Sequence, residues 1–119
     1  MREKLRAAHP NTSGLFDLKH DRGGMIDIEF AVQFLVLANA HRHRELTGNL
    51  GNIALLKMAA GHGLLDAGLA ERCREAYREF RRLQHALRLN GAQYARVPRE
   101  QVARHIEAVR KLWETVLPA

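Results

Sequence analysis

At 119 residues, with 46% of them hydrophobic and 27% charged, the chain has the size and composition of one soluble globular domain that can bury a core without covalent or metal staples. A single cysteine, Cys73, excludes an internal disulfide and fits a reducing cytosol, so a cytoplasmic location is expected. The longest apolar run is broken by Glu29 and Gln33 and falls short of the roughly 20 residues of a membrane span, which excludes a transmembrane role.

Residues 1–8 can form two helical turns, stopped by the turn-forming cluster that follows. A helix that short is marginal alone and reads as the tail of a longer one, so the chain is expected to be part of something larger. Residues 15–18 alternate as a short extended piece, and Gly23 and Gly24 loosen the backbone ahead of an apolar stretch. From Met25 to about residue 40, Ile26, Phe30, Phe34 and Leu37 share one side of a helical wheel, while Ile28, Val32 and Leu35 take much of the other. Such a helix is expected at the centre of the fold, wrapped by the others.

A second helix follows over residues 53–60, with Asn52 as its N-cap and Gly61 and Gly63 as its breakers. Asp66 caps the third and most regular helix, where Leu69, Cys73, Ala76, Phe80, Leu83 and Leu87 form a packing stripe. Asn90 and Tyr94 would continue the rhythm, but Gly91 is the expected end. Pro98 opens a fourth helix whose inner face is Val102, Ile106, Val109, Trp113 and Val116. The expected fold is therefore all-α: one domain, residues 1–119, built as a bundle of four main helices with a short N-terminal helix and an ordered loop ahead of it.

The net charge of +6 raises the question of nucleic acid. The arginines of the third helix, however, are interleaved with Glu71, Glu75 and Glu79. Pairs such as Glu71 with Arg74 and Glu75 with Arg78 lie at i,i+3, as on a solvated, ion-paired face. The seven histidines show no metal-site spacing, and Cys73 and Trp113 read as core residues.

Asp27 and Glu29 could form a metal-holding or acid–base pair, but i and i+2 point nearly opposite ways in a helix, and Glu29 instead shares its side with Gln33. The structural alternative has Asp27 stabilising the helix N-terminus by its charge, with Glu29 as a buried anchor for the preceding loop. Its partners would be Lys19, Arg22 or backbone N–H groups near Gly23. Lys19, Arg22, Gly23 and Gly24 together offer positive charge, pliable backbone and a helix N-terminus, the ingredients of a phosphate contact, although the P-loop spacing is absent.

The pattern D-x-K-x-x-x-G-G-x-x-D-I-E-F-x-x-Q, carried by Asp17, Lys19, Gly23, Gly24, Asp27, Ile28, Glu29, Phe30 and Gln33, resembles the helical domain that follows the nucleotidyltransferase domain in glutamate-ammonia-ligase adenylyltransferases. Its wording is similar to that of the adenylylating, carboxy-terminal half. The resemblance implies that the intact protein moves AMP from ATP to a tyrosine of glutamine synthetase using Mg2+, under control of glutamine and the signalling protein PII. It also implies that this domain packs beside a preceding nucleotidyltransferase domain, with Lys19, Arg22, Gly23, Gly24, Asp27, Glu29 and Gln33 lining the cleft between them.

The GS and D-x-D motifs of the transferase itself do not occur here, so this chain alone is expected to be catalytically inactive and to hold no cofactor tightly. The rival readings are the helical domain of a PII uridylyltransferase, and a non-enzymatic basic module binding nucleic acid or an acidic protein. Neither a membrane nor a nucleic-acid partner is expected.

Overall fold

The computed structural model describes residues 13–39, 41–43 and 51–117. The short helix expected over residues 1–8 and residue 40, the expected end of the central helix, lie outside those residues. In chain order the elements are β1 (Phe16–Asp17), α1 (Met25–Asn39), α2 (Asn52–Gly61), α3 (Ala67–Leu89), β2 (Arg96–Val97), a 3-10 turn (Arg99–Val102) and α4 (Ala103–Val116). Among the described residues four α-helices carry the fold, as the sequence implies. The two short strands pair antiparallel, Phe16 opposite Val97 and Asp17 opposite Arg96.

α3 is the spine: it packs along both α2 and α4, and α1 closes the bundle against α4 and α2. Its start is fixed by Asp66, whose side chain accepts from the Leu69 N–H at 2.9 Å. Leu69, Ala70, Cys73, Ala76, Tyr77, Phe80 and Leu83 are its buried face. The helix ends where Gly91 takes a φ of 79°. The Gly91 N–H then bonds to the Arg88 carbonyl and the Ala92 N–H to that of Leu87, the double closure that glycine makes possible. This is why the apolar rhythm stops short of Tyr94, which is solvent-exposed.

Three local expectations are corrected. Asn52 does not cap α2: the N-cap is Gly51, without a side-chain bond, and the Asn52 amide is drawn instead to the Tyr77 hydroxyl. Trp113 is only half-buried, and the neighbouring Leu112 fills the core, because the inward face of α4 runs through His105, Ile106, Ala108, Val109 and Leu112. Finally, α1 is not wrapped on all sides. Met25, Ile28, Ala31, Val32, Leu35 and Val36 are buried against the bundle, whereas Phe34 is 38% and Leu37 80% exposed.

The core is continuous from the loop ahead of α1, where Phe16 and Leu18 are fully buried, through Phe80 to α4. The Phe16 and Phe80 rings lie 6.0 Å apart, and Phe80 meets the His105 imidazole edge-on at 5.9 Å. Cys73 is a core thiol: it donates to the Ala108 carbonyl, and burial pushes its pKa up to about 12. No helix among the described residues is long and apolar enough to cross a membrane.

Burial, reinforced by the charge of Arg104, lowers the His105 pKa below its ordinary value against the opposing pull of Glu79 and Glu75. The folded protein thus binds this proton less readily than the unfolded chain. The His105 contribution to stability is complete above about pH 6.5 and is lost as the pH falls through the lower folded value. Urea unfolding at stepped pH should show this slope, and His105→Leu should flatten it on the acid side of neutrality.

Candidate functional site

The segment from Phe16 to Met25 is held by one buried carboxylate. Asp17 is 3% exposed, and its Oδ1 accepts from the N–H groups of Lys19 and His20 at 3.0 and 2.9 Å. Its Oδ2 takes the Arg96 Nε at 3.2 Å, an ion pair with little exposure on either side. The Asp17 N–H in turn donates to Asp21 Oδ2 at 2.9 Å, and the Leu18 N–H donates to the Ala95 carbonyl. These donors offset the cost of burying the carboxylate, and its bonds to the Lys19 and His20 N–H groups close the chain into a turn.

The turn folds back onto the start of α1. The Met25 and Ile26 N–H groups bond to the carbonyls of Leu18 and Lys19 at 2.8 and 3.1 Å, and the Gly24 N–H bonds to that of Asp21. Asp27 completes the closure, its Oδ2 accepting from the Gly23 N–H at 2.8 Å. The anchor of the loop is thus Asp27, where the sequence pointed to Glu29. The first backbone donors of the helix are already used by the loop, so Gly23 and Gly24 act as spacers rather than as a phosphate cradle. Each stands where no side chain fits: a Cβ on Gly23, whose φ is 89°, would lie 2.7 Å from Ile106 Cγ2, and one on Gly24 would lie 2.6 Å from the Leu18 carbonyl oxygen.

Glu29 goes elsewhere. It is half-buried and its Oε2 accepts from the Tyr77 hydroxyl at 3.3 Å, while that hydroxyl accepts from the Asn52 amide at 3.2 Å. One polar chain therefore links α1, α3 and α2. Burial raises the Tyr77 phenol above its ordinary value, with Asn52 opposing and the Glu29 charge adding to the rise, so it stays a hydroxyl donor. Asp27 and Glu29 do not converge on a common ligand.

Of the seven residues singled out from the sequence, the structure places Gly23, Gly24 and Asp27 inside the loop closure. Lys19 and Arg22 are exposed on that loop, Gln33 is exposed on the outer side of α1, and Glu29, one turn before it, sits at the edge of that side with its carboxylate turned to Tyr77. Beside them on that side are Phe30, Phe34 and Leu37, so the outer face of α1 is a mixed polar and apolar strip. Sequence reasoning missed Arg96, Tyr77 and Asn52, which lie far along the chain from their partners. The only local cue was the tyrosine in a buried register of α3, whose hydroxyl needs a partner.

The loop closure has a measurable cost of failure. Gly24→Ala should destabilise the fold by about 2 kcal/mol, because its methyl meets backbone that cannot give way. Gly61→Ala, with open space around the added methyl, should stay within about 1 kcal/mol of the parent or gain slightly. Chemical denaturation midpoints of the two variants check this.

Comparison with known proteins places these observations in a family. Three relatives are each named bifunctional glutamine synthetase adenylyltransferase/adenylyl-removing enzyme. That of Bordetella bronchiseptica is 56% identical over 117 residues, 98% of this chain and 12% of the relative. That of Burkholderia mallei is 56% identical over 119 residues, 100% of this chain and 13% of the relative. That of Nitrosomonas europaea is 50% identical over 130 residues, 98% of this chain and 14% of the relative. The chain therefore spans only 12 to 14% of the length of these relatives. A family profile described as GlnD PII-uridylyltransferase matches residues 1–115, through the loop and all the helices into the last turn of α4. The chain belongs to that GlnD PII-uridylyltransferase family.

Proposed function

We propose that this chain is the helical companion domain of a glutamine synthetase adenylyltransferase, in its adenylylating half. It would brace a nucleotidyltransferase domain that moves AMP from ATP to a tyrosine of glutamine synthetase with Mg2+, in the cytoplasm and under control of glutamine and PII. The names carried by the curated relatives favour adenylyl transfer over the uridylyl transfer in the family description.

The observation that carries the reading is the uncovered outer face of α1. A helix that is apolar on both sides is built to be covered on both, and the described residues of the bundle bury its inner side while Phe34 and Leu37 stay exposed. Phe34 and Leu37 supply the apolar contact, Glu29 and Gln33 the polar rim, and the helix starts from the loop bearing Lys19 and Arg22. Lys19 and Arg22 are then the residues that reach the triphosphate side of the cleft. Gly23, Gly24 and Asp27 hold their loop in shape. Within this division of labour the chain contributes walls and cations, while the metal-binding carboxylates belong to the neighbouring domain.

The test is AMP transfer to glutamine synthetase by the intact protein with Mg2+ and ATP. Lys19→Gln should lower the rate about tenfold, the loss of roughly 1.4 kcal/mol of transition-state stabilisation, with an unchanged melting temperature. Leu37→Asp should also lower transfer, through the interface, while leaving the bundle folded. Unaltered transfer in both variants would overturn the proposal.

A further inference from the structure

A groove of about 470 Å³ runs between the start of α2 and the second half of α3, with Arg78, Arg81, Arg82, His85 and Arg88 along one side and Ile53 in the wall. Among the described residues no carboxylate lines it. The charges are not all neutralised on the helix. Arg82 is held by both oxygens of Glu79, at 2.7 and 2.8 Å, and Arg78 lies 4.0 Å from Glu71 rather than pairing with Glu75. Arg81 rests over the Tyr77 ring at 5.9 Å, and neither it nor Arg88 has a carboxylate partner among the described residues.

Arg78, Arg81, Arg82 and Arg88 lie on one face of a regular helix, within about 15 Å of its length. We propose that this groove is a docking surface for an acidic peptide segment of a partner protein, with carboxylates spaced along the segment to meet Arg81, Arg88 and the less tightly held Arg78. The inference is independent of the reading of α1 and its loop. Two features select a peptide over other anions. The polar side chains of the lining all come from the interior of α3, where the backbone N–H groups are bound within the helix and offer a phosphate no cradle. Glu71, Glu75 and Glu79 occupy the preceding turns of the same helix, and Glu75 and Glu79 border the adjoining depression with Arg104. A long polyphosphate backbone continuing along the helix would run into those carboxylates, whereas a short acidic segment confined to the groove would not. Ile53 offers an apolar contact that a peptide side chain can use.

The experiment measures fluorescence anisotropy of a labelled short polyglutamate peptide with the intact protein at about 50 mM salt, where exposed charges are weakly screened. The parent should bind it. The Arg81→Gln/Arg88→Gln double variant should bind about tenfold more weakly, while an Arg110→Gln/Lys111→Gln control on the exposed side of α4 should stay within about twofold. Both substitute solvent-facing residues, and thermal melts verify that the fold is kept; Arg88→Glu, a single reversal, serves if the double variant melts early. Absence of binding by the parent, an equal loss in the control, or tighter binding of a single-stranded oligonucleotide of matched charge would each overturn the proposal.

Discussion

The buried Asp17 carboxylate is the constraint on which the arrangement of this domain depends. Ionised carboxylates are rarely carried into a protein interior unless they are given donors, and here the donors come from both ends of the chain: two N–H groups of its own turn and the Arg96 guanidinium from the far side of α3. Satisfying that one group joins β1 to β2, places the 18–24 loop on the bundle, and so sets where α1 begins. Arg96 is itself steadied by lying 4.0 Å over the Tyr94 ring, and Arg99 sits over Phe16 at 5.3 Å. The two-residue strand pair would be negligible alone; its role is to bring this ion pair into register.

The shape of the loop follows from that anchor. Asp17 bends the chain, Asp27 draws the Gly23 N–H down onto the helix, and the two glycines let backbone touch backbone and α4 where a methyl group would not fit. The glycines and both aspartates therefore serve geometry. The chemistry available to a neighbour is what the rigid loop displays: Lys19 and Arg22 outward, then the mixed strip of Glu29, Phe30, Gln33, Phe34 and Leu37 along α1. Residues held by a packed scaffold keep their position without help from the ligand, which is what a wall of a binding cleft requires.

Much of this was legible in the sequence where the information is local. The Asp66 cap, the α3 stripe and its stop at Gly91, and the inert character of Cys73 each depend on residues within a turn or two, and the structure bears each of them out. The expectation for α1 went astray for a different reason. Apolarity all round a helix says that it is covered all round, but not by whom, and a single bundle of this size has too few helices to do it. Glu29 and Asn52 were misassigned because both are taken up by Tyr77, which enters from another helix. Periodicity ranks the faces of one helix well; it does not pair a side chain on one helix with a side chain on another.

The same distinction separates the two surfaces of the domain. On α1 the exposed residues are apolar with polar neighbours, the composition of a contact that excludes water once it forms and is held by area. On α3 they are arginines in a groove without acids among the described residues, a contact steered by charge and weakened by salt. Ionic screening therefore acts on one surface and barely on the other. The charges of α3 are also graded along its length: Glu71 holds Arg74, Glu79 holds Arg82, and Arg88 in the last turn has no carboxylate partner among the described residues. The carboxylates of α3 end at Glu79, and Arg81, Arg82 and Arg88 follow without another acid, so an acidic partner would meet the stronger attraction toward the C-terminal end of the helix. α3 carries six arginines against three glutamates, so half of the +6 net charge sits on this one helix, and it is concentrated toward the helix's C-terminal end.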